Sequence, residues 1–141
     1  MPTPAEMKRA LIQAGFEVYA TRGDIVHLAE RVRENLIMDA GIFVKSASPT
    51  VGFVVRAQRS DFPNEDEEQL LDRARNLGRA ALDRGFEEVK TAVREVRDPG
   101  DGARTLDTWC EVSFEKAVGD VGAVLDEVRF AFSFEKAVSP R

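Results

Sequence analysis

Three glycines that each precede an apolar residue constrain the fold of this chain more than any other feature of its sequence. They occur in the tripeptides Ala14-Gly15-Phe16, Ala40-Gly41-Ile42 and Arg84-Gly85-Phe86. Glycine readily adopts the left-handed conformation that ends a helix, and the apolar residue after it packs back against the last helical turn. The sequence therefore predicts three helix ends, each followed by a strand.

The segments before these glycines carry signals that start helices. Thr3-Pro4-Ala5-Glu6 has the spacing of a capping box with proline in the first turn, and Asp24 can cap a second helix. Asn64-Glu65-Asp66-Glu67 repeats the cap-plus-Glu spacing and places acidic residues in a first turn. Apolar residues recur at helical spacing behind each start. The predicted helices span residues 4–14, 25–39 and 65–84.

The third of these helices has a stripe of small residues. Ala74, Gly78 and Ala81 fall on its apolar face together with Leu70 and Leu77. Small side chains at these positions predict that the helix lies close to a sheet.

Between the helices, apolar and polar residues alternate, which is typical of strands. A short strand is predicted at Glu17–Thr21. Two hairpins are predicted, and they pair Ile42–Ser46 with Val51–Arg59 and Phe86–Arg97 with Thr105–Val118.

Residues 120–137 fit a helix and a strand almost equally well. Val121, Val124 and Val128 have helical spacing, whereas Phe130, Phe132 and Phe134 continue an alternation that begins at Val128. We favour a helix, because Asp120 can cap it and residues 123–127 have no strand character. The hexapeptide Ser-Phe-Glu-Lys-Ala-Val occurs at 113–118 and again at 133–138. Two copies are too few for a repeat array.

This order of elements predicts an α+β fold. We expect a two-layer sandwich, with an antiparallel sheet of four to five strands and helices packed mainly on one face. The chain has 141 residues and no internal linker, so residues 1–141 are expected to form a single domain. A ferredoxin-like βαββαβ order that uses the helix 25–39 is a weaker alternative.

The net charge and the cysteine content argue against some classes of partner and indicate a cellular compartment. The formal net charge is −5 and no segment carries a run of Lys or Arg, which argues against a nucleic-acid partner. Cys110 is the only cysteine, and a lone cysteine indicates a reducing compartment. No apolar run approaches the roughly 20 residues of a membrane helix. We expect a cytoplasmic protein with no membrane partner.

The sequence has no recognisable catalytic, metal or cofactor motif. Cys110 and His27 could in principle form a thiolate–imidazole pair, but Cys110 falls on the apolar side of its strand, where cysteine behaves as a small hydrophobe. One His and one Cys cannot form a zinc site without several carboxylates. We therefore predict no catalytic residues, no metal and no cofactor.

Trp109 is the residue that most favours a binding role. If Leu106, Cys110, Val112 and Phe114 point towards the helices, Trp109 points the other way. Tryptophan on the polar side of a sheet is a common interface anchor. Phe130 and Phe134 fall outside the main apolar stripe of the last helix. We take Trp109, Phe130 and Phe134 as candidate interface residues. The alternative is that a helix covers this second face.

The first helix and turn, Leu11-Ile12-Gln13-Ala14-Gly15-Phe16-Glu17-Val18, resemble the opening of the YbjN family, and the layout of residues 60–140 is similar. That family has strands where we predict the helix 25–39. It shares the fold of type III secretion chaperones, which are small acidic non-enzymatic dimers that hold partner proteins. The resemblance implies the same for this chain and transfers no functional residue.

The leading hypothesis is a non-enzymatic protein-interaction or regulatory domain, chaperone-like and homodimeric. The alternative is a small enzyme or ligand-binding domain whose site is assembled from scattered residues. His27, Asp107, Cys110 and Glu111 are the first candidates for such a site.

Overall fold

A computed structural model describes residues 2–138 and has an α+β fold. In chain order its elements are α1 (Pro4–Gln13), β1 (Glu17–Arg22), β2 (Ile25–Arg33), β3 (Leu36–Lys45), β4 (Thr50–Gln58), α2 (Glu67–Leu82), β5 (Glu87–Asp98), β6 (Asp101–Ala117) and α3 (Val121–Val138). The strands form one open antiparallel sheet in the order β1-β2-β3-β4-β6-β5. The sheet thus has six strands, rather than the four to five predicted.

The additional strand arises where the sequence analysis predicted a helix, because residues 25–39 belong to β2 and β3. Leu28, Val32 and Leu36 have the spacing of a helix face, but the segment pairs as two strands. Val26 and Leu28 are buried by alternation, whereas Val32 and Leu36 lie in the exposed end of the hairpin. The ferredoxin-like alternative, which needs a helix here, is wrong for the same reason.

All three glycines have a positive φ, but only Gly15 and Gly85 follow a helix, so the predicted helix end at Gly41 is wrong. Gly15 and Gly85 follow α1 and α2 with φ of 98° and 99°. The next residues close these helix ends, since the amide of Phe16 donates to the Leu11 carbonyl and that of Phe86 to the Ala81 carbonyl. Gly41 also has a positive φ, 74°, but it lies within β3 where the register with β2 shifts. A glycine can relieve a bulge as well as end a helix.

The other predicted elements are present, but β3 begins at Leu36 rather than Ile42 and β6 begins at Asp101 rather than Thr105. Both hairpins form as β3–β4 and β5–β6, and residues 121–138 are helical. The Asp120 carboxylate accepts the Ala123 amide at 2.8 Å, as expected of a cap. Thr3 and Glu6 form the predicted capping box of α1. In α2 the cap is Asp66, paired with Gln69, so the helix begins two residues later than the predicted position 65.

The described residues form two compact units. The first contains the residues up to Phe53 and those from Glu115 onwards, and the second is Val54–Phe114. In the first unit α1 packs on β1 and β2, and α3 packs on β3 and α1. Its buried apolar residues are Met7, Leu11, Val26, Leu28, Ala29, Ile42, Val44, Val51, Phe53, Val124, Val128, Ala131 and Phe134. That residues 1–141 form a single domain stays a prediction.

The second unit is built around the close approach of α2 to β6. Its buried apolar residues are Val55, Ala57, Leu70, Ala74, Ala81, Phe86, Cys110, Val112 and Phe114. A Cβ atom added at Gly78 would lie only 2.2 Å from Cε2 of Phe114, so the ring occupies the space that a larger residue would need. The small residues of α2 therefore allow the helix to lie close to the sheet, as the sequence predicts.

Candidate functional site

Strand β6 separates its side chains between two environments. Thr108, Cys110, Val112 and Phe114 are buried, whereas Asp107, Trp109 and Ser113 alternate with them on the opposite side. Leu106, which was predicted to share the buried side, is 50% exposed because the burial of this strand begins at Thr108. Phe114 packs against Gly78 of α2, which identifies the buried side as the one that α2 covers. Within the second unit, Trp109 therefore lies on the side of β6 that faces away from α2.

Trp109 is held by two polar contacts and remains half-buried. The Arg56 guanidinium lies over the indole, with Cζ 3.8 Å from the ring centroid. The indole Nε1–H donates to Oδ2 of Asp107 at 3.1 Å. A cation over the ring and a hydrogen bond in its plane fix the orientation of the indole without covering it completely.

Asp107 organises the polar end of this arrangement. Its carboxylate accepts hydrogen bonds from the Ser60 hydroxyl at 2.8 Å, the Ser60 amide at 3.0 Å and the Thr108 amide at 2.8 Å. Partial burial acts to raise the pKa of Asp107, but the bonds from Ser60, Thr108 and Trp109 outweigh it and lower the pKa below its usual value. The carboxylate is thus held in its charged form.

Glu111 joins two arginines on the same side of β6. Only 9% of its side chain is exposed. One oxygen accepts from Nε and Nη2 of Arg56 at 3.1 and 3.0 Å, and the other accepts from Nε of Arg94 at 2.6 Å. Arg94 itself is 67% exposed. The buried carboxylate therefore positions Arg56 over Trp109 and leaves Arg94 in contact with solvent.

The other two candidate interface residues lie in the first unit. Phe134 is buried and packs against Phe53, with ring centroids 5.1 Å apart. Phe130 is half-buried and stacks on Phe134 at 5.7 Å. Phe134 thus contributes to the core of its unit, and Phe130 lies at the edge of that core. An interface role for Trp109, Phe130 and Phe134 stays a prediction.

The residues proposed for a scattered catalytic site do not converge within the second unit. Cys110 is fully buried on the α2 side of β6, whereas Asp107 and Glu111 lie on the other side. Burial raises the pKa of the Cys110 thiol, which disfavours the reactive thiolate. His27 belongs to the first unit, where its ring lies 6.4 Å from that of Phe43.

Arg56 and Arg94 complete the Trp109 environment, and neither was predicted from the sequence. Arg56 alternates with the buried Val55 and Ala57 on β4, so its side of the strand could be predicted. Its contact with Trp109 depends on the pairing of β4 with β6, strands that about 40 residues of sequence separate. Only the register of these strands reveals the contact.

A second group of exposed side chains lies at the end of the β2–β3 hairpin in the first unit. Val32 is 45% exposed and Met38 is 49% exposed, and Leu36 near the turn is also exposed. Met38 lies opposite Glu30, and Val32 is two residues further along the same strand. Apolar and charged side chains therefore alternate in solvent at this end of the hairpin.

Within residues 2–138, no group of three His, Cys, Asp or Glu side chains is arranged to hold a metal ion. The helices of this described part are each too short or too polar to cross a membrane. Comparison of the chain with protein-family models, curated proteins and solved structures returned no match.

Proposed function

We propose that this protein is a non-enzymatic protein-interaction domain, chaperone-like and homodimeric, that binds a protein partner through the surface around Trp109. The observation that carries the proposal is the Arg56–Trp109 stack on the side of β6 that faces away from α2. Tryptophan and arginine are the side chains most enriched among residues that dominate binding energy at protein interfaces.

The stack is also organised before any partner binds. Asp107 fixes the indole and Glu111 fixes the guanidinium, so few side-chain rotations have to be frozen on binding. Each rotamer-rich side chain that is already ordered saves about 0.5–1.5 kcal/mol of binding free energy. A rigid aromatic group flanked by arginines suits a partner that offers apolar and carboxylate groups.

The layout of the chain supports a chaperone-like role by resemblance. Residues 25–39 form strands β2 and β3, as the YbjN family has in this region. The proposal includes a two-layer arrangement in which the helices lie mainly on one face of the sheet, which would leave the other face for the partner.

Site-specific photo-crosslinking in cells tests the proposal. A photoreactive amino acid at Ser113 would lie on the Trp109 side of β6, and the matched control would carry it at Arg79, an exposed position of α2. We expect a discrete protein adduct from position 113 that is absent from position 79 and is lost when Trp109→Leu is added. Trp109 is the only tryptophan, so the purified partner should also shift its fluorescence.

Two results would contradict the proposal. One is a set of adducts that is the same for positions 113 and 79. The other is an adduct that persists unchanged in the Trp109→Leu chain while circular dichroism shows that the variant is folded.

A further inference from the structure

We propose that Arg73 of helix α2 is a positioning residue for the Trp109 surface and acts on it through the loop of residues 59–66, which joins β4 to α2. One end of this loop is bound beside Trp109 and the other end is bound to α2. The loop therefore couples the helix to the side of β6 that faces away from it. The consequence for partner binding rests on the proposed function, whereas the coupling itself does not.

The start of the 59–66 loop is bound to the residue that orients Trp109. The Ser60 hydroxyl donates to Oδ2 of Asp107 at 2.8 Å, and the Ser60 amide donates to Oδ1 at 3.0 Å. The indole Nε1–H of Trp109 donates to the same Oδ2 atom at 3.1 Å. The loop and the indole thus share one acceptor, so a displacement of Ser60 changes the group that fixes the ring.

The end of the 59–66 loop is bound to α2 by a single arginine. Cζ of Arg73 lies 3.9 Å from the centroid of the Phe62 ring. Nε of Arg73 donates to the carboxylate of Glu65, whose side chain is only 22% exposed. A cation over an aromatic ring and a charge-assisted hydrogen bond are both stabilising. One side chain of the helix therefore fastens two residues of the loop.

Backbone hydrogen bonds make the segment between these two attachments a series of turns. The amides of Asp61, Phe62 and Glu65 each donate to the carbonyl three residues before them, at 3.0–3.1 Å. Pro63 adds a fixed φ angle to the last of these turns. A segment with few free torsions transmits a displacement at Phe62 to Ser60 instead of absorbing it.

Removing the guanidinium tests the coupling. In Arg73→Gln the loop loses its attachment to α2, so Ser60 should spend less time on the Asp107 carboxylate. The bonds from Ser60 lower the pKa of Asp107, and that pKa should therefore rise towards its usual value in an NMR titration of the carboxyl. Trp109 is the only tryptophan, so acrylamide quenching of its fluorescence reports the same release and should increase about twofold or more.

Arg75→Gln is the matched control. Arg75 lies on the same helix and has 41% of its side chain exposed, compared with 47% for Arg73. It pairs with Asp72 and Glu88 and not with the loop, so its replacement should leave the Asp107 titration and the quenching unchanged. Circular dichroism of each variant shows whether α2 is still folded.

A conservative variant separates positioning from a general effect on the helix. Arg73→Lys keeps a cation that can reach the Phe62 ring and the Glu65 carboxylate. The Asp107 titration of this variant should lie closer to that of the unmodified protein than the titration of Arg73→Gln does.

A double-mutant comparison tests the route through Ser60. In a Ser60→Ala background the hydroxyl bond to Asp107 is already absent, so Arg73→Gln should shift the Asp107 titration less than it does in the unmodified protein. Equal shifts in the two backgrounds would mean that Ser60 does not transmit the effect, and would overturn the proposed route.

The coupling is also overturned if Arg73→Gln leaves both the titration and the quenching unchanged, or if Arg75→Gln changes them as much. For partner binding, the photo-crosslinked adduct from position 113 should be about twofold or more weaker in Arg73→Gln. An adduct of unchanged yield beside a shifted titration would remove the role of Arg73 in binding. If position 113 gives no adduct at all, the proposed function fails, and the titration still tests the coupling.

Discussion

The Arg56 guanidinium lies 3.8 Å from the centroid of the Trp109 ring, and both residues belong to the side of their strands that faces away from α2. Neither side chain belongs to the buried core of the unit. The arrangement instead orders two side chains at a surface, and its energetic coupling can be measured.

A double-mutant cycle should detect this coupling. We expect Arg56→Gln and Trp109→Leu to be non-additive by about 0.5–1 kcal/mol in the free energy of unfolding, because a partly exposed cation–π pair has that value. Urea unfolding of the four proteins measures it. The Arg56–Glu111 contact is lost in both proteins that carry Arg56→Gln, so its contribution to the free energy of unfolding cancels in the cycle. Additivity within about 0.3 kcal/mol would mean that the stack has no energetic role.

Replacing Glu111 should destabilise the protein more than replacing an exposed ion-paired glutamate. Glu111→Ala removes a buried acceptor of bonds from two arginines, and we expect a loss of about 1–3 kcal/mol in the free energy of unfolding. Glu95→Ala is the control, because Glu95 pairs with Arg97 in solvent and its loss should cost less than about 0.5 kcal/mol. Equal effects in denaturant unfolding would show that burial of Glu111 contributes nothing.

Gly78→Ala should destabilise α2 despite the better helix propensity of alanine. The new methyl group would lie 2.2 Å from the buried Phe114 ring, and overpacking of this kind costs about 1–3 kcal/mol. Replacing glycine with alanine in a helix interior stabilises the helix by about 1 kcal/mol, which offsets part of this cost. In a Phe114→Leu background the same change should be neutral or stabilising. Gly119→Ala is the control, since nothing lies within 4 Å of the added atom. A stabilised Gly78→Ala protein would contradict the close packing.

Asp107 should make a pH-dependent contribution to stability. Its pKa is lowered in the folded protein, so its stabilising effect is present above the unfolded value of about 3.9 and is lost as the pH falls through the lower folded value. The difference in unfolding free energy between the unmodified protein and Asp107→Asn should therefore shrink from about pH 5 to pH 2.

An NMR titration provides the control for this effect. Ser60→Ala removes one of the hydrogen bonds that lower the pKa of Asp107, so the pKa of that carboxyl should move up towards its usual value. If the unmodified protein and Asp107→Asn lose stability in parallel on acidification, the carboxylate is not held in the way the hydrogen bonds indicate.

The sequence predicted local structure well where a local signal decides the backbone. Gly15 and Gly85 end helices because a positive φ and an apolar neighbour coincide there. Gly41 carries the same signal, but its strand pairs with β2, and that long-range contact determines whether a positive φ relieves a bulge or ends a helix. Strand pairing across distant residues also explains why Arg56 was not foreseen beside Trp109.

The repeated hexapeptide shows this limit within one chain. Ser-Phe-Glu-Lys-Ala-Val at 113–118 begins in strand β6, and the same six residues at 133–138 are helical. Phe114 and Phe134 are both buried, so burial of the phenylalanine does not choose the conformation. The preceding residues choose it, because 101–112 continue a hairpin whereas 121–132 continue a capped helix. Six residues do not carry enough information to specify either state.

The rate at which Cys110 reacts with a thiol reagent can report local opening of the second unit. Cys110 is the only thiol, it is fully buried beneath α2, and burial raises the pKa of the thiol. A thiol reagent can therefore modify it only when the second unit transiently opens. The labelling rate of the unmodified protein thus reports how often α2 leaves the sheet, with no added probe.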